Sequence, residues 1–289
     1  MKYLRRRELF GLLAGAPLLG GKKTVVGAHP WVFAAPLPDY DITPVLDRVF
    51  EDMRYAGVDA IELMHNCLRT GDAVKRIGEL SRKHNLPVLG ASYSANMWRA
   101  EEHAAILEEA KLLVGRLAKL GGRTLGTSAG NAGRKKTPRE LDAQAELLRQ
   151  IMAMARDNGV VLNLHNHTYE VIDGEHDLRG TLEHIPDAKL GPDIGWLARA
   201  GIDPVDFIRR YGNRIVFAHL RDQTKDGKWS EAMGEGAIDF AAVAATLREA
   251  KFNGDLVIEL AHESGFKPTR PVRDSLKMSR QFVRSRMGF

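Results

Sequence analysis

VVLNLHNHTYEV, residues 160–171, begins as a buried strand and ends in chemistry. Its first five residues are aliphatic or strand-compatible and follow Asn158-Gly159, the signature of a strand entered from the end of a helix. His165, Asn166 and His167 come next, with Glu170 shortly after. Side chains alternate along a strand, so His165 and His167 should share one side and Asn166 take the other. Two imidazoles where a buried strand ends suit a metal site or an acid/base site. They also suit satisfied polar residues at a strand terminus, and the rest of the chain has to decide.

The same strand-then-helix grammar repeats on both sides of this stretch. Strands are expected over 25–28, 59–64, 86–92, 123–128, 160–164, 188–195, 214–220 and 255–260. Helices are expected over 44–56, 72–84, 101–120, 137–158, 178–184, 204–211, 239–250 and 272–286. Thr137-Pro138 opens its helix with a hydroxyl cap and proline in the first turn. Strict alternation implies a parallel α/β sheet. Eight units over about 265 residues suit a closed (β/α)8 barrel better than an open sheet. No G-x-G-x-x-G follows the first strand, so the usual dinucleotide fingerprint is missing. Residues 24–289 read as a single barrel domain.

Of the 289 residues, 44% are hydrophobic and 27% charged, ordinary for a globular chain. The single cysteine, Cys67, excludes an internal disulfide framework and a cysteine-rich zinc module. Any metal must therefore rest on His, Asp and Glu. The net charge of +5 gives no support for nucleic-acid binding. It is concentrated in residues 1–23, where Lys2, Arg5, Arg6, Arg7, Lys22 and Lys23 face only Glu8, and the remainder is close to neutral. That segment has a positive start and an apolar run too short to span a bilayer, the anatomy of an export leader. Arg6-Arg7 with Leu9 and Phe10 resembles the twin-arginine type, which implies a periplasmic destination; without a leader the protein would be cytoplasmic. No stable membrane span is expected, and homo-oligomerisation is left open.

In a (β/α)8 barrel, functional residues gather at the C-terminal ends of the strands. Here those ends carry His29, Glu62, His65, Ser92, Tyr93, Thr127, Ser128, His165, His167, Asp193, His219, Arg221, Asp222, Glu259, His262 and Glu263. Four consecutive strands each deliver a metal-competent residue at one level. His165, Asp193, His219 and Glu259 make an N2O2 donor set suited to Mn, Co, Zn or Fe(II). His167 competes with His165, since extended geometry turns both rings inward.

LGPDIGWLARAGIDP, RIVFAHLRD, MGEGAIDF and LVIELAHE resemble successive strand-end motifs of the xylose-isomerase-like sugar phosphate isomerase/epimerase superfamily, and LHNHTYEV is similar to the YHNHDFEF motif of one branch. The resemblance covers nearly all the chain after the leader. It implies a TIM barrel with one divalent metal held by His165, Asp193, His219 and Glu259. Keto-sugar epimerases of this kind carry a glutamate where His165 stands and pair it with the last-strand glutamate. The related D-x-G-H sequence is here Asp193-Ile194-Gly195-Trp196, which exchanges a histidine for an aromatic wall that stacks on a sugar or packs in the core. Trinuclear-zinc endonucleases in the superfamily need a histidine at Trp196 and an Asp-x-His after His219. Both are missing, so neither three zincs nor DNA is expected.

The chemistry implied is removal of a proton next to the carbonyl of a carbohydrate, with Glu259, His167 and Glu170 as candidate bases. Return of the proton gives isomerisation or epimerisation. Loss of a β-leaving group gives a dehydratase or lyase on a keto-sugar, favoured by the missing glutamate, and a sugar-binding protein that kept the metal is the third reading. Glu62, Trp196 and Arg221 are candidate substrate contacts, with strand-end ion pairing the alternative for Glu62 and Arg221. No Gly-rich phosphate cradle stands out, although Gly234-Glu235-Gly236 keeps one open.

Overall fold

The structure, a computed structural model, describes residues 24–289; the leader expected over residues 1–23 lies outside them. Strands β1 (Val26–Ala28), β2 (Ala60–Met64), β3 (Val88–Ser94), β4 (Thr124–Ser128), β5 (Val161–Leu164), β6 (Lys189–Leu190), β7 (Phe217–Leu220) and β8 (Asp255–Ile258) form one parallel sheet in the order β6-β5-β4-β3-β2-β1-β8-β7. Isolated parallel bridges, Leu190 to Ile215 and Asp193 to His219, link the two ends of that order. Val216 N donates to Leu190 O at 3.0 Å and His219 N to Pro192 O at 2.9 Å. The expected (β/α)8 barrel is the fold.

Around it run α1 (Trp31–Ala34), α2 (Leu46–Ala56), α3 (Ala73–His84), α4 (His103–Lys119), α5 (Pro138–Asp157), α6 (Thr168–His184), α7 (Ile194–Arg199), α8 (Pro204–Tyr211), α9 (Phe240–Glu249) and α10 (Val272–Phe282). Their apolar stripes and the outward faces of the strands make up the main core. α10 packs on α2, so the last helix meets the first long one.

Two elements differ from expectation. The strand expected over 188–195 shrinks to Lys189–Leu190, because Pro192 cannot donate to a ladder and Asp193 caps α7, its Oδ1 accepting from Trp196 N at 2.9 Å. Ile194 and Gly195 are thus helical. The helix expected from Leu178 begins at Thr168, directly after His167, and is interrupted at Ile172–Glu175, where Asp173, Gly174 and Glu175 have positive φ. That break hides the helical period from a sequence reading. Glu175 is held there by Arg210, at 2.9 and 2.6 Å, and by Tyr211 Oη at 2.7 Å.

The barrel interior has a simple vertical order. Ala60, Leu89, Phe217 and Val257 form a small apolar floor. Two residues further along three of those strands stand Glu62, His219 and Glu259, on the same inward face. Gly27 and His29 continue the pattern at β1: a Cβ on Gly27 would meet Ala60 O at 3.0 Å, so a larger residue would crowd this floor. One step up from the floor, the inward face changes from apolar to ionisable.

Candidate active site

Four elements bring the candidate ligands together. His165 follows β5, Asp193 caps α7, His219 is the third residue of β7 and Glu259 follows β8. One donor atom from each of His165, Asp193 and His219 lies within 4.8 Å of the others. The two histidines face each other through Nδ1, 3.1 Å apart. Asp193 is fully buried, and its Oδ2 has no hydrogen-bond partner. An orphaned buried carboxylate oxygen beside two converging imidazole nitrogens fits a divalent cation of the Mn, Co, Zn or Fe class. Glu259 stands next to this set, with Oε2 3.3 Å from His219 Nδ1.

The surroundings tune each group. His219 Nε2 lies 2.5 Å from Glu62 Oε2. Burial works against a charged His219 ring, but Glu62, Glu259 and Asp193 outweigh it and raise its pKa to about 9. His165 is held well below its ordinary value, first by loss of solvation and then by repulsion from His167 and His219. Burial raises Asp193, against the attraction of Arg221. Glu259 is lowered well below the usual carboxylate range: burial opposes this, and Arg221, His29 and His219 prevail.

Arg221 is 3% exposed; its Nη2 lies 2.5 Å from Glu259 Oε1 and 3.5 Å from Asp193 Oδ2. Its guanidinium carbon lies 4.9 Å from the ring centre of Trp229 and 5.4 Å from that of Trp196. Gly195 permits this packing, since a Cβ there would come within 2.9 Å of Arg221 Cβ. Trp196 is partly exposed, packs edge-on against Trp229, and lies 5.6 Å from the His167 ring. It is both packing partner and part of the mouth.

Other expected roles shift once burial is known. Glu62 is 0% exposed and sits beneath His219, so it buttresses that imidazole and has no surface to offer a substrate. Glu170 is spent on structure: it accepts from Ser128 Oγ at 2.5 Å and from His167 N at 2.7 Å, capping α6. Those bonds argue against its candidacy as the base. His167 Nδ1 meets Tyr169 Oη at 3.0 Å, and its ring lies edge-on to His165. His29 and Asn166 enter the site although neither was singled out as a ligand, base or substrate contact. His29 accepts from Trp31 N at Nδ1, pairs with Ser92 through Nε2 at 2.8 Å, and lies 3.4 Å from Glu259. Asn166 accepts from Asp193 N at 3.2 Å. Only its HNH neighbours hinted at that role.

The Gly234-Glu235-Gly236 turn is occupied from within. Gly234 N and Gly236 N donate to Asp222 Oδ2 at 2.9 and 3.0 Å, and Ile238 N to Oδ1 at 3.3 Å. An internal carboxylate takes the amides that a phosphate would need.

The xylose isomerase-like TIM barrel family profile matches residues 50–282. The chain belongs to this family. Inosose dehydratase of Clostridium perfringens is 22% identical over 285 residues, covering 86% of this chain and 93% of that protein. Inosose dehydratase of Geobacillus kaustophilus is 26% identical over 144 residues, 43% of this chain and 46% of that protein, so the match spans under half its length. A solved L-ribulose 3-epimerase superposes with a TM-score of 0.74 at 19% identity, covering 92% of this chain and 95% of that one, a likeness of fold. Among the described residues, no helix is long and apolar enough to cross a membrane.

Proposed function

We propose that this protein is a divalent-metal-dependent sugar isomerase or epimerase that removes a proton next to a carbonyl of an unphosphorylated carbohydrate. The observation that carries this is the convergence of His165, Asp193 and His219 beside Glu259 at the C-terminal mouth of the barrel. A divalent ion held there supplies a Lewis acid that stabilises charge developing on the carbonyl oxygen. Glu259, kept ionised by Arg221, is placed to accept the proton. His167, on the other flank against His165, is placed to return one. Trp196 offers an aromatic face at the mouth. The filled Gly234–Gly236 turn favours a substrate without phosphate.

A second reading, dehydration of a keto-sugar, is favoured by one feature: a histidine stands at 165, leaving Glu259 without a second carboxylate at the strand-five position. Elimination needs a single base and a leaving group. Incubating the metal-loaded protein with ketoses and keto-sugars in D2O separates the readings. Deuterium at the α-carbon with an epimer or isomer supports the first, and an enone product supports the second. Absence of both across the panel would overturn the enzymatic proposal. The proposal extends to export through residues 1–23; replacing Arg6 and Arg7 with lysine should strand the chain in the cytoplasm.

A further inference from the structure

We propose that a cleft beside the catalytic centre is a second sugar subsite, and that the substrate is a disaccharide carrying a keto group, not a single sugar. This deepens the reading above and rests on it. The carbonyl-bearing ring reacts beside His165 and Glu259, and its neutral neighbour lies in the cleft.

The cleft opens at the same end of the barrel as the catalytic centre, between the β4–α5 loop and the first turns of α6. Its free volume is 390 Å³, inside the range of small-molecule sites. Asn131, Lys135, Tyr169, Asp173 and His176 line it, over a floor of Lys136 and Asp177. Tyr169 belongs to both places. Its ring stacks on His167 at 5.1 Å and 13°, and its Oη lies 3.0 Å from His167 Nδ1 and 2.9 Å from Ser128 Oγ. His167 in turn lies edge-on to His165 at 4.9 Å. A single aromatic ring therefore separates the cleft from a group placed to move the proton, a gap that a glycosidic link can bridge.

Charge selects a neutral occupant. Lys136 is 4% exposed; its Nζ lies 2.5 Å from Asp177 Oδ2 and donates to Gln144 Oε1 at 2.6 Å. Arg134, at the rim, pairs with Glu140 at 2.7 Å. Lys135 and Asp173 bring one charge of each sign. A phosphate or a carboxylate would gain no net positive field here. Sugar hydroxyls need donors and acceptors together, and the wall supplies both. Lys135 and the Asn131 amide donate, and Asp173 accepts. His176 donates through Nε2 to Lys136 O at 2.8 Å, which keeps Nδ1 as an acceptor. Tyr169 adds aromatic surface for the C–H face of a ring.

The backbone at the rim is held in a costly shape. Asp173 and Glu175 have φ of 56° and 63°, left-handed values that L side chains rarely adopt. Arg210 and Tyr211 hold Glu175 there, and the exposed Asp173 borders the cleft. Strain of this kind persists where the surrounding fold enforces it, and it gathers at ligand sites.

The test pairs calorimetry with deuterium exchange on the full chain. Cellobiose, maltose, trehalose and lactose are titrated against glucose without metal. The keto derivatives of the same sugars are then offered to the metal-loaded protein in D2O. At least one disaccharide should bind about tenfold or more tightly than glucose, and its keto derivative should exceed keto-glucose by a similar factor in kcat/KM. Asp173→Gly suits the left-handed backbone and Lys135→Ala removes an exposed side chain, so both should fold, as circular dichroism would show. Together they should lower the preference for disaccharide over monosaccharide by about tenfold in both measurements. The proposal is overturned if no disaccharide is preferred, or if the double variant leaves the preference unchanged. Failure of the catalytic reading looks different: disaccharides would bind and the double variant would weaken them, yet no deuterium would enter any sugar.

Discussion

His219 donates through Nε2 to Glu62, and that bond turns Nδ1 toward His165 and Glu259. A carboxylate behind a ligating imidazole sets its tautomer and ring orientation and raises its basicity. Glu62→Gln keeps the shape but removes the charge. Metal affinity should fall by roughly 10-fold or more, measured by manganese or cobalt titration, with the fold retained by circular dichroism. An unchanged affinity would mean that Glu62 only fills space. At this scale the converging groups were legible in the sequence, because His165, Asp193 and His219 each stand where a strand ends. Glu62 was not: a glutamate at a strand end reads the same whether it faces the mouth or lies one layer beneath it.

α5 begins at Thr137, whose Oγ1 accepts from Glu140 N at 3.3 Å while Glu140 Oε2 accepts from Thr137 N at 2.7 Å. The hydroxyl cap and first-turn proline were read from Thr137-Pro138; the return bond from Glu140 that completes the box came with the structure. Thr137→Ala should cost about 1 kcal/mol, read by urea denaturation. At the other end of the pair, His184 closes α6 with Nδ1 on Gly180 O at 2.7 Å and Nε2 2.6 Å from Asp142 on α5. The Gly180 carbonyl and then Asp142 raise its pKa above the ordinary 6.5, against burial and Arg149. A histidine with a raised folded value contributes stability that is full below its unfolded pKa and is lost as pH rises through the folded one. The Tm difference between the unsubstituted chain and His184→Asn should be widest below the ordinary imidazole value of about 6.5 and close as pH rises through the raised folded value. A difference that does not vary with pH would show that protonation contributes nothing. The elements misjudged from sequence, β6 and the start of α6, are those where Pro192, Asp193 and the Ile172–Glu175 break override local periodicity.

On the proposed metal-dependent reading, the whole barrel should respond to a bound divalent ion by mass action. A metal bound only by the folded chain stabilises it by about 2.7 kcal/mol at 100 times the dissociation constant, a Tm rise of roughly 5 °C or more for a domain of this size. A chelator should reverse the rise, and Asp193→Asn should abolish it; equal Tm values with and without metal would oppose a folded-state site. The sequence by itself determined the (β/α)8 architecture and the residue types at the C-terminal rim of its strands, because strand and helix periods are local and each strand end is a fixed place on the barrel. Only the tertiary structure decided which groups meet. Glu62 and His219 are 157 residues apart, Arg221 stands between Asp193 and Glu259, and Asp222 fills the glycine turn. Those contacts depend on ring closure and depth along the barrel axis, distances that no stretch of sequence encodes.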